Sequence, residues 1–267
     1  MPQTPCLSVI LPCYNVAPFI ANTLGVLTRY LDSLDASWEI VLVDDGSADS
    51  TVQTVAALAM PGCRLLPQGR NYGKGRAVRA GMLLARGQYR IFTDADLPYG
   101  VACIGECLGW LKQGYHMVAG DRRLCRPTDH TRVPFGRAVG SRLFRFLIKL
   151  LVTGEELDTQ CGLKGFSGPL ADCLFPLLTV DRFAFDVELY SLIRRAGVEF
   201  KPIPVRLVNN QVSTISLGSD GAQMLRDVAR IILRQVRGGY DMAVLQPFAC
   251  GASSSPREAE RPRKVCP

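Results

Sequence analysis

The chain alternates short apolar runs with longer amphipathic stretches. Residues 7–11 (LSVIL), 39–43 (EIVLV), 64–66 and the run holding Tyr89, Ile91, Phe92 and Thr93 are aliphatic, β-branched or aromatic and bounded by turn residues. They read as buried strands. Between them, residues 18–30, 51–59 and 76–86 carry helical patterns. Asp49 or Ser50 is placed to cap the second helix, and Ala77, Ala80, Gly81 and Leu84 give the third a face for close packing. Strand, helix, strand, helix in this order predicts parallel strands joined by right-handed crossovers. The second half is less regular. Residues 115–120 read as a strand, 121–131 as a basic loop and 181–196 as a helix, with an extended Pro-containing segment over 200–208. Residues 133–152 repeat Phe135, Val139, Leu143, Phe146, Leu147 and Leu150 at helical spacing, beside Arg142, Arg145 and Lys149. Such a helix suits either a membrane interface or a core-packed position with an Arg-rich exposed face. Residues 221–237 form a second basic amphipathic helix. Ser, Pro and alternating charge from about residue 251 predict disorder. The pattern as a whole is α/β, with one domain over 1–240 and a largely disordered tail over 241–267.

Composition narrows this picture. At 267 residues and 48% hydrophobic, the chain can bury one substantial core. No stretch approaches the ~20 apolar residues of a spanning helix. The N-terminus lacks the basic start of a signal peptide, so a cytoplasmic location is expected. Ten cysteines are scattered without CxxC pairs or zinc spacing, which suits free thiols. Two histidines argue against a His-based metal site or triad. A net charge of +7 asks for an anionic partner, unless it marks only a solvated basic face. No nucleic-acid module or aromatic stacking pattern is present, so nucleic acid is not an expected partner.

The candidate chemistry lies where the predicted strands end. Pro12-Cys-Tyr-Asn follows the first strand, Asp44-Asp45-Gly46-Ser47 the second, and Asp94-Ala-Asp96 the run at 89–93. Ligands of parallel sheets bind beyond the carboxyl ends of the strands, which puts all three on one rim. Asp94 and Asp96 suit a hard cation that keeps positions open for phosphate oxygens, or else shape a turn. The first strand lacks G-x-G-x-x-G and the chain has no P-loop, which excludes the dinucleotide version of the fold. Gly73-Lys-Gly75 reads as a flexible or phosphate-facing loop.

SVILPCYN, EIVLVDDGSADST, NYGKGRAVRAGMLLARGQYRIFTDADLP, DTQCGLKGF and RFAFDVELYSLIRRAGVEFKPIPV occur in that order. In this the chain resembles the inverting glycosyltransferases of family 2, with the GT-A fold, over roughly residues 6–240. Within that family it is similar to the polyprenyl-phosphate sugar transferases, including dolichyl-phosphate mannose synthases and glucosyltransferases. The resemblance implies a Rossmann-like, mostly parallel sheet flanked by helices. It implies that Pro12, Tyr14, Asp44, Asp45, Ala95 and Arg122 bind a UDP- or GDP-sugar, and that Asp94 and Asp96 hold Mg²⁺ or Mn²⁺. Asp158 becomes the catalytic base, or an orienting group if the acceptor is already a phosphate, and Lys164 a contact for an anionic acceptor. Asp186 and Glu188 fall near the acceptor side or on a helix surface. The chain departs from the pattern at Val16, where relatives carry Glu, and at Pro98, where mannose synthases supply a Gln metal ligand. It departs again at Asn210 and Ser216, where they carry phosphate-contacting cations, which argues against a strict mannose synthase.

The expected activity is metal-dependent, inverting sugar transfer from a nucleotide diphosphate sugar to polyprenyl phosphate, with peripheral contact at the cytosolic membrane face. The alternatives are the same donor chemistry with a soluble or glycan acceptor, and a non-catalytic nucleotide-sugar-binding protein that docks on membranes.

Overall fold

The computed structural model describes residues 4–125, 158–208 and 219–250. The expected helix over 133–152, the departures at Asn210 and Ser216 and the tail from residue 251 lie outside the described residues.

Seven strands form one sheet in the order β3-β2-β1-β4-β6-β5-β7. They are β1 (Leu7–Cys13), β2 (Trp38–Asp44), β3 (Cys63–Pro67), β4 (Tyr89–Phe92), β5 (Met117–Asp121), β6 (Lys164–Ser167) and β7 (Phe200–Pro204). The first four are parallel to one another. β6 runs antiparallel to both β4 and β5, and β7 is parallel to β5. The sheet is therefore mostly parallel, with one reversed strand.

Both faces are covered, which is why β1 and β2 are near-continuous apolar runs rather than alternating ones. On one face lie α1 (Ile20–Asp32), α2 (Thr51–Leu58) and α4 (Ala102–Lys112), with Leu24, Leu27, Val55, Ile104 and Leu108 meeting Val9, Leu11, Ile40 and Leu42. On the other lie α3 (Lys74–Leu84), α5 (Gly168–Leu174), α6 (Phe185–Arg195) and α7 (Ser219–Val236). Their Val78, Met82, Leu170, Phe185, Leu189 and Ile231 share a core with Ile10, Val41, Val43 and Phe92. No helix among the described residues is long and apolar enough to cross a membrane. No described cysteine forms a disulfide.

Two sequence expectations are corrected here. Residues 241–250 are packed, not part of a loose tail: the 3₁₀ stretch Met242–Phe248 buries Leu245 completely, and the Cys250 N–H donates to the Gly197 carbonyl at 2.8 Å. The third helix starts at Lys74 instead of 76, so Gly73-Lys-Gly75 is a helix start and not a loop. Gly73 takes φ +114°, and a side chain there would strike the Asp181 carbonyl.

Register brings the polar rims together. Cys13 pairs with Asp44, and Ile10 with Phe92, so β1, β2 and β4 end side by side. Because β6 is reversed, it begins where β4 ends, with Phe92 opposite Lys164. β5 in turn ends beside the start of β6, with Ala119 opposite Lys164. The loop before β6 and the residues after β5 therefore reach the same edge as the Asp94 turn.

Candidate active site

The rim starts with three knitted turns. Asn15, at φ +53°, accepts from Ala48 N–H through Oδ1 at 2.8 Å, and its own N–H donates to Ser47 Oγ at 2.8 Å. Asp44 Oδ2 accepts from the N–H groups of Gly46 and Ser47, each at 3.2 Å. Asp45 accepts from Tyr72 N–H at 2.9 Å and Gly73 N–H at 2.8 Å. Both carboxylates, expected to face the nucleotide, are thus turned to backbone donors of their own rim. A buried carboxylate needs donors, and these loops supply them. Burial still holds the Asp45 carboxyl above its ordinary range, against the pull of those two N–H groups. Tyr14 stands 49% exposed at this rim, available to a ligand, with Pro12 half-buried below it.

The Asp94 turn comes next. Leu97 closes it with an N–H bond to the Asp94 carbonyl at 3.0 Å, and does so at φ +47°. A buried leucine in the left-handed region costs on the order of 1–2 kcal/mol, a strain typical of residues that aim a functional side chain. Ala95 directs its carbonyl away from the rim, accepting from Thr23 Oγ1 at 2.8 Å. Asp94 is ion-paired with Lys74, the first residue of α3. Burial and then the Asp94 charge push the Asp96 carboxyl above its ordinary range. Burial pulls Lys74 down, but Asp94 and Asp186 outweigh it and hold the ammonium above its usual value. Among the described residues no three His, Cys, Asp or Glu side chains gather to cage a metal. Two carboxylates one residue apart do fit Mg²⁺ or Mn²⁺, which binds through one or two carboxylates and takes its remaining ligands from phosphate and water.

The loop before β6 packs directly on this turn. A Cβ at Gly162 would overlap the Asp94 carboxylate, and Gly162 N–H donates to Tyr99 Oη at 3.3 Å. Gly162→Ala is expected to push Asp94 out of position, weakening Mn²⁺-dependent nucleotide binding about tenfold or more while leaving the fold intact. Calorimetry with and without Mn²⁺ checks this.

Asp158 opens the same loop and is gripped by Arg122 in a two-pronged pair, Nε to Oδ2 at 2.7 Å and Nη2 to Oδ1 at 2.6 Å, with Arg122 N–H adding 3.1 Å. Burial opposes the charge, yet the Arg122 guanidinium prevails and holds the Asp158 carboxyl below its ordinary range. The expected base and the expected phosphate grip are thus partners of each other.

Lys164 corrects another expectation. It is fully buried and faces no acceptor. Its ammonium lies 2.8 Å from Asp186 and donates to the Thr159 and Cys161 carbonyls at 3.1 and 2.6 Å. It tethers the Asp158 loop from beneath. Glu188 is equally buried and accepts from Thr179 N–H, Val180 N–H and Tyr240 Oη, so its role is to close the fold. Sequence reasoning left Lys74 and Tyr99 without roles. The Lys of GKG was a visible signal for the first, and nothing local marked the second.

Residues 8–175 match the Glycosyl transferase family 2 model. The chain belongs to this family. The family 2 chain is 32% identical over 257 residues to the dolichyl-phosphate beta-glucosyltransferase of Drosophila melanogaster, covering 90% of this chain and 78% of the relative. It is 30% identical over 246 residues to the Dictyostelium discoideum protein of the same name, covering 87% and 75%. Its fold is that of glucosyl-3-phosphoglycerate synthase from Mycobacterium tuberculosis in complex with UDP, with a TM-score of 0.63 at 20% identity over 85% of this chain and 80% of that one. The complex of that synthase with Mn²⁺, UDP and phosphoglyceric acid gives 0.61 at 19% identity, covering 86% and 78%. This family 2 transferase therefore has the GT-A fold.

Proposed function

We propose that the protein transfers a glucosyl group, with inversion, from a nucleotide diphosphate sugar to a polyprenyl phosphate. One observation carries the choice of acceptor: Asp158, the carboxylate best placed to act as base, is held ionised by Arg122. A carboxylate with lowered proton affinity is a poor base for an alcohol. A phosphate acceptor has no such need, since its second pKa of about 6 leaves it mostly ionised at neutral pH. The names of the relatives supply the sugar and the lipid. Exposed Leu207 and Val208, the latter bonded through its N–H to the Pro98 carbonyl, give the rim an apolar edge that suits a lipid chain.

In this reading Tyr14 offers its ring to the nucleotide, and the Asp45-braced loop frames it. Asp94 and Asp96 would hold Mg²⁺ or Mn²⁺, whose bound charge would neutralise the diphosphate and ease its departure. Lys74 adds a cation at a helix start, where the backbone dipole also favours anions. An acceptor phosphate oxygen attacks the anomeric carbon opposite the diphosphate. The bond from that carbon to the diphosphate oxygen breaks, and its electron pair leaves on that oxygen. Arg122 orients the anionic acceptor, and Asp158 stabilises positive charge developing on the sugar.

The test uses purified protein, Mn²⁺, UDP- and GDP-glucose, and a short-chain polyprenyl phosphate. A glucosyl phospholipid product is expected with one donor. Transfer only to soluble sugars, or none, overturns the proposal. The rate is expected to fall below about pH 6, where the acceptor phosphate takes a proton. Asp158→Asn is expected to slow transfer about a hundredfold, keep donor affinity, and leave that acid limb where it is. A limb that disappears in the variant makes Asp158 the base after all.

A further inference from the structure

α7 has three faces where a surface helix of a globular domain needs two. Successive residues turn by about 100°. Val228 and Ile231 are buried, and Gln235 reaches Ser191 on α6, so one side of α7 is its seat on the fold. Rotating from there, Leu225, Val236, Ala229 and Leu233 follow one another within an arc of roughly 80°. All four are exposed, with Leu225 at 50%, Leu233 at 48% and Val236 at 80%. The next arc, of similar width, holds Arg226, Arg237, Arg230 and Arg234, all exposed.

Residues 223–237 contain one acid, Asp227, and it is buried midway along α7. It pairs with Arg230 at 3.1 Å and accepts from Gln223, while the Arg230 side chain stays 72% exposed. Arg234 donates to the Gly239 carbonyl and lies over the Tyr240 ring. Among the described residues Arg226 and Arg237 make no ion pair. The helix thus presents an exposed apolar stripe bordered by a row of guanidinium groups, with no carboxylate on either arc among the described residues.

We infer that this face is a membrane-docking surface, seated on the headgroups of an anionic bilayer. The charge sign selects the occupant, because among the described residues only Arg230 of the row has a counter-charge, the buried Asp227. A lipid surface supplies that charge in any register, whereas a protein partner would need a matching acidic ridge. Leucine and valine enter the boundary of the acyl chains, and arginine stems lie along apolar surface while their heads stay among phosphates. The inference rests on the lipid-acceptor reading for its purpose, since a polyprenyl phosphate is reached at a membrane. Its physical argument rests on α7 alone.

The test is sedimentation of the full chain with mixed phosphatidylcholine–phosphatidylglycerol vesicles, beside pure phosphatidylcholine vesicles. Binding to the anionic vesicles, weakened by salt, is expected. Leu225→Ser/Leu233→Ser/Val236→Ser should lower the partition coefficient at least about tenfold. Arg226→Gln/Arg237→Gln should lower it roughly fivefold per charge. These side chains are exposed, so melting temperature and turnover of a water-soluble short-chain acceptor should be unchanged. Indifference of the wild type to anionic vesicles, or a triple serine variant that binds as well as wild type, overturns the inference. So does a concentration-dependent dimer that the serine variant abolishes, which makes a second copy the occupant. Vesicle binding needs no donor or turnover, so a failed transfer assay leaves this result readable.

Discussion

Asp96→Asn abolishes the gain in donor affinity that Mn²⁺ provides and lowers turnover by about a thousandfold. The size follows from the several kcal/mol that a bound cation contributes at a departing diphosphate, at about 1.4 kcal/mol per tenfold in rate. Asparagine keeps the shape of the side chain and removes one of two negative charges beside a cation. The carboxyl of Asp96 is held above its ordinary range by burial and by Asp94, so its ionised form is strained in the absence of a counter-cation. A carboxyl with a raised folded pKa costs stability above that pKa. The variant is therefore expected to melt no lower than the metal-free wild type, and mild acid should relieve the wild type at this site. The measurement is a nucleotide titration by calorimetry with and without Mn²⁺, paired with thermal melting. Nucleotide affinity that still rises with Mn²⁺ in the variant removes Asp96 from the cation site.

Lys164→Met is expected to destabilise the fold by about 3–5 kcal/mol, the usual cost of breaking a buried ion pair from one side. The pair is dry, with Lys164 fully buried and only 7% of the Asp186 side chain exposed. Methionine fills the space but leaves the Asp186 charge without its nearest cation, and leaves two loop carbonyls without a donor. Burial already holds the Asp186 carboxyl above its ordinary range, and loss of Lys164 raises it further. The deficit should therefore shrink as the pH falls and Asp186 takes a proton. Lys164→Met/Asp186→Asn should recover part of the loss, since no isolated charge remains. Urea unfolding at neutral and mildly acidic pH measures all three quantities. A single variant as stable as wild type, altered only in its KM for the acceptor, would return Lys164 to the acceptor contact that the family resemblance implies.

The fate of Lys164 shows where the sequence stops being readable. β1 and β2 are legible because strands buried on both faces are near-continuous apolar runs, a property of a few adjacent residues, and β4 stands out by its β-branched and aromatic residues despite Arg90. The three rims followed from strand order. β6 reads KGFS, with a charge and a glycine, and it is a strand only because β4 and β5 flank it. α4 reads ACIGECLGWLK, whose glycines mask its helical pattern, and it was not foreseen. Within the site, the Asp94–Lys74 pair spans 20 residues and the Arg122–Asp158 pair spans 36. Residue type announced a cation, an anion or a turn. Which charge meets which was decided by the reversal of β6, and local pattern carries no record of that. Asp44 and Asp45 illustrate the same limit: the turn was visible, but the N–H groups of Tyr72 and Gly73 that receive Asp45 were not.

The grip of Arg122 on Asp158 also bears on what happens when no lipid has arrived. On the proposed function, water in the acceptor position must shed a proton to attack the sugar, and Asp158 is already engaged by Arg122. Hydrolysis is thereby disfavoured by the same contact that suits a pre-ionised nucleophile. In that reading, a donor-loaded enzyme waits for its acceptor without wasting the activated sugar.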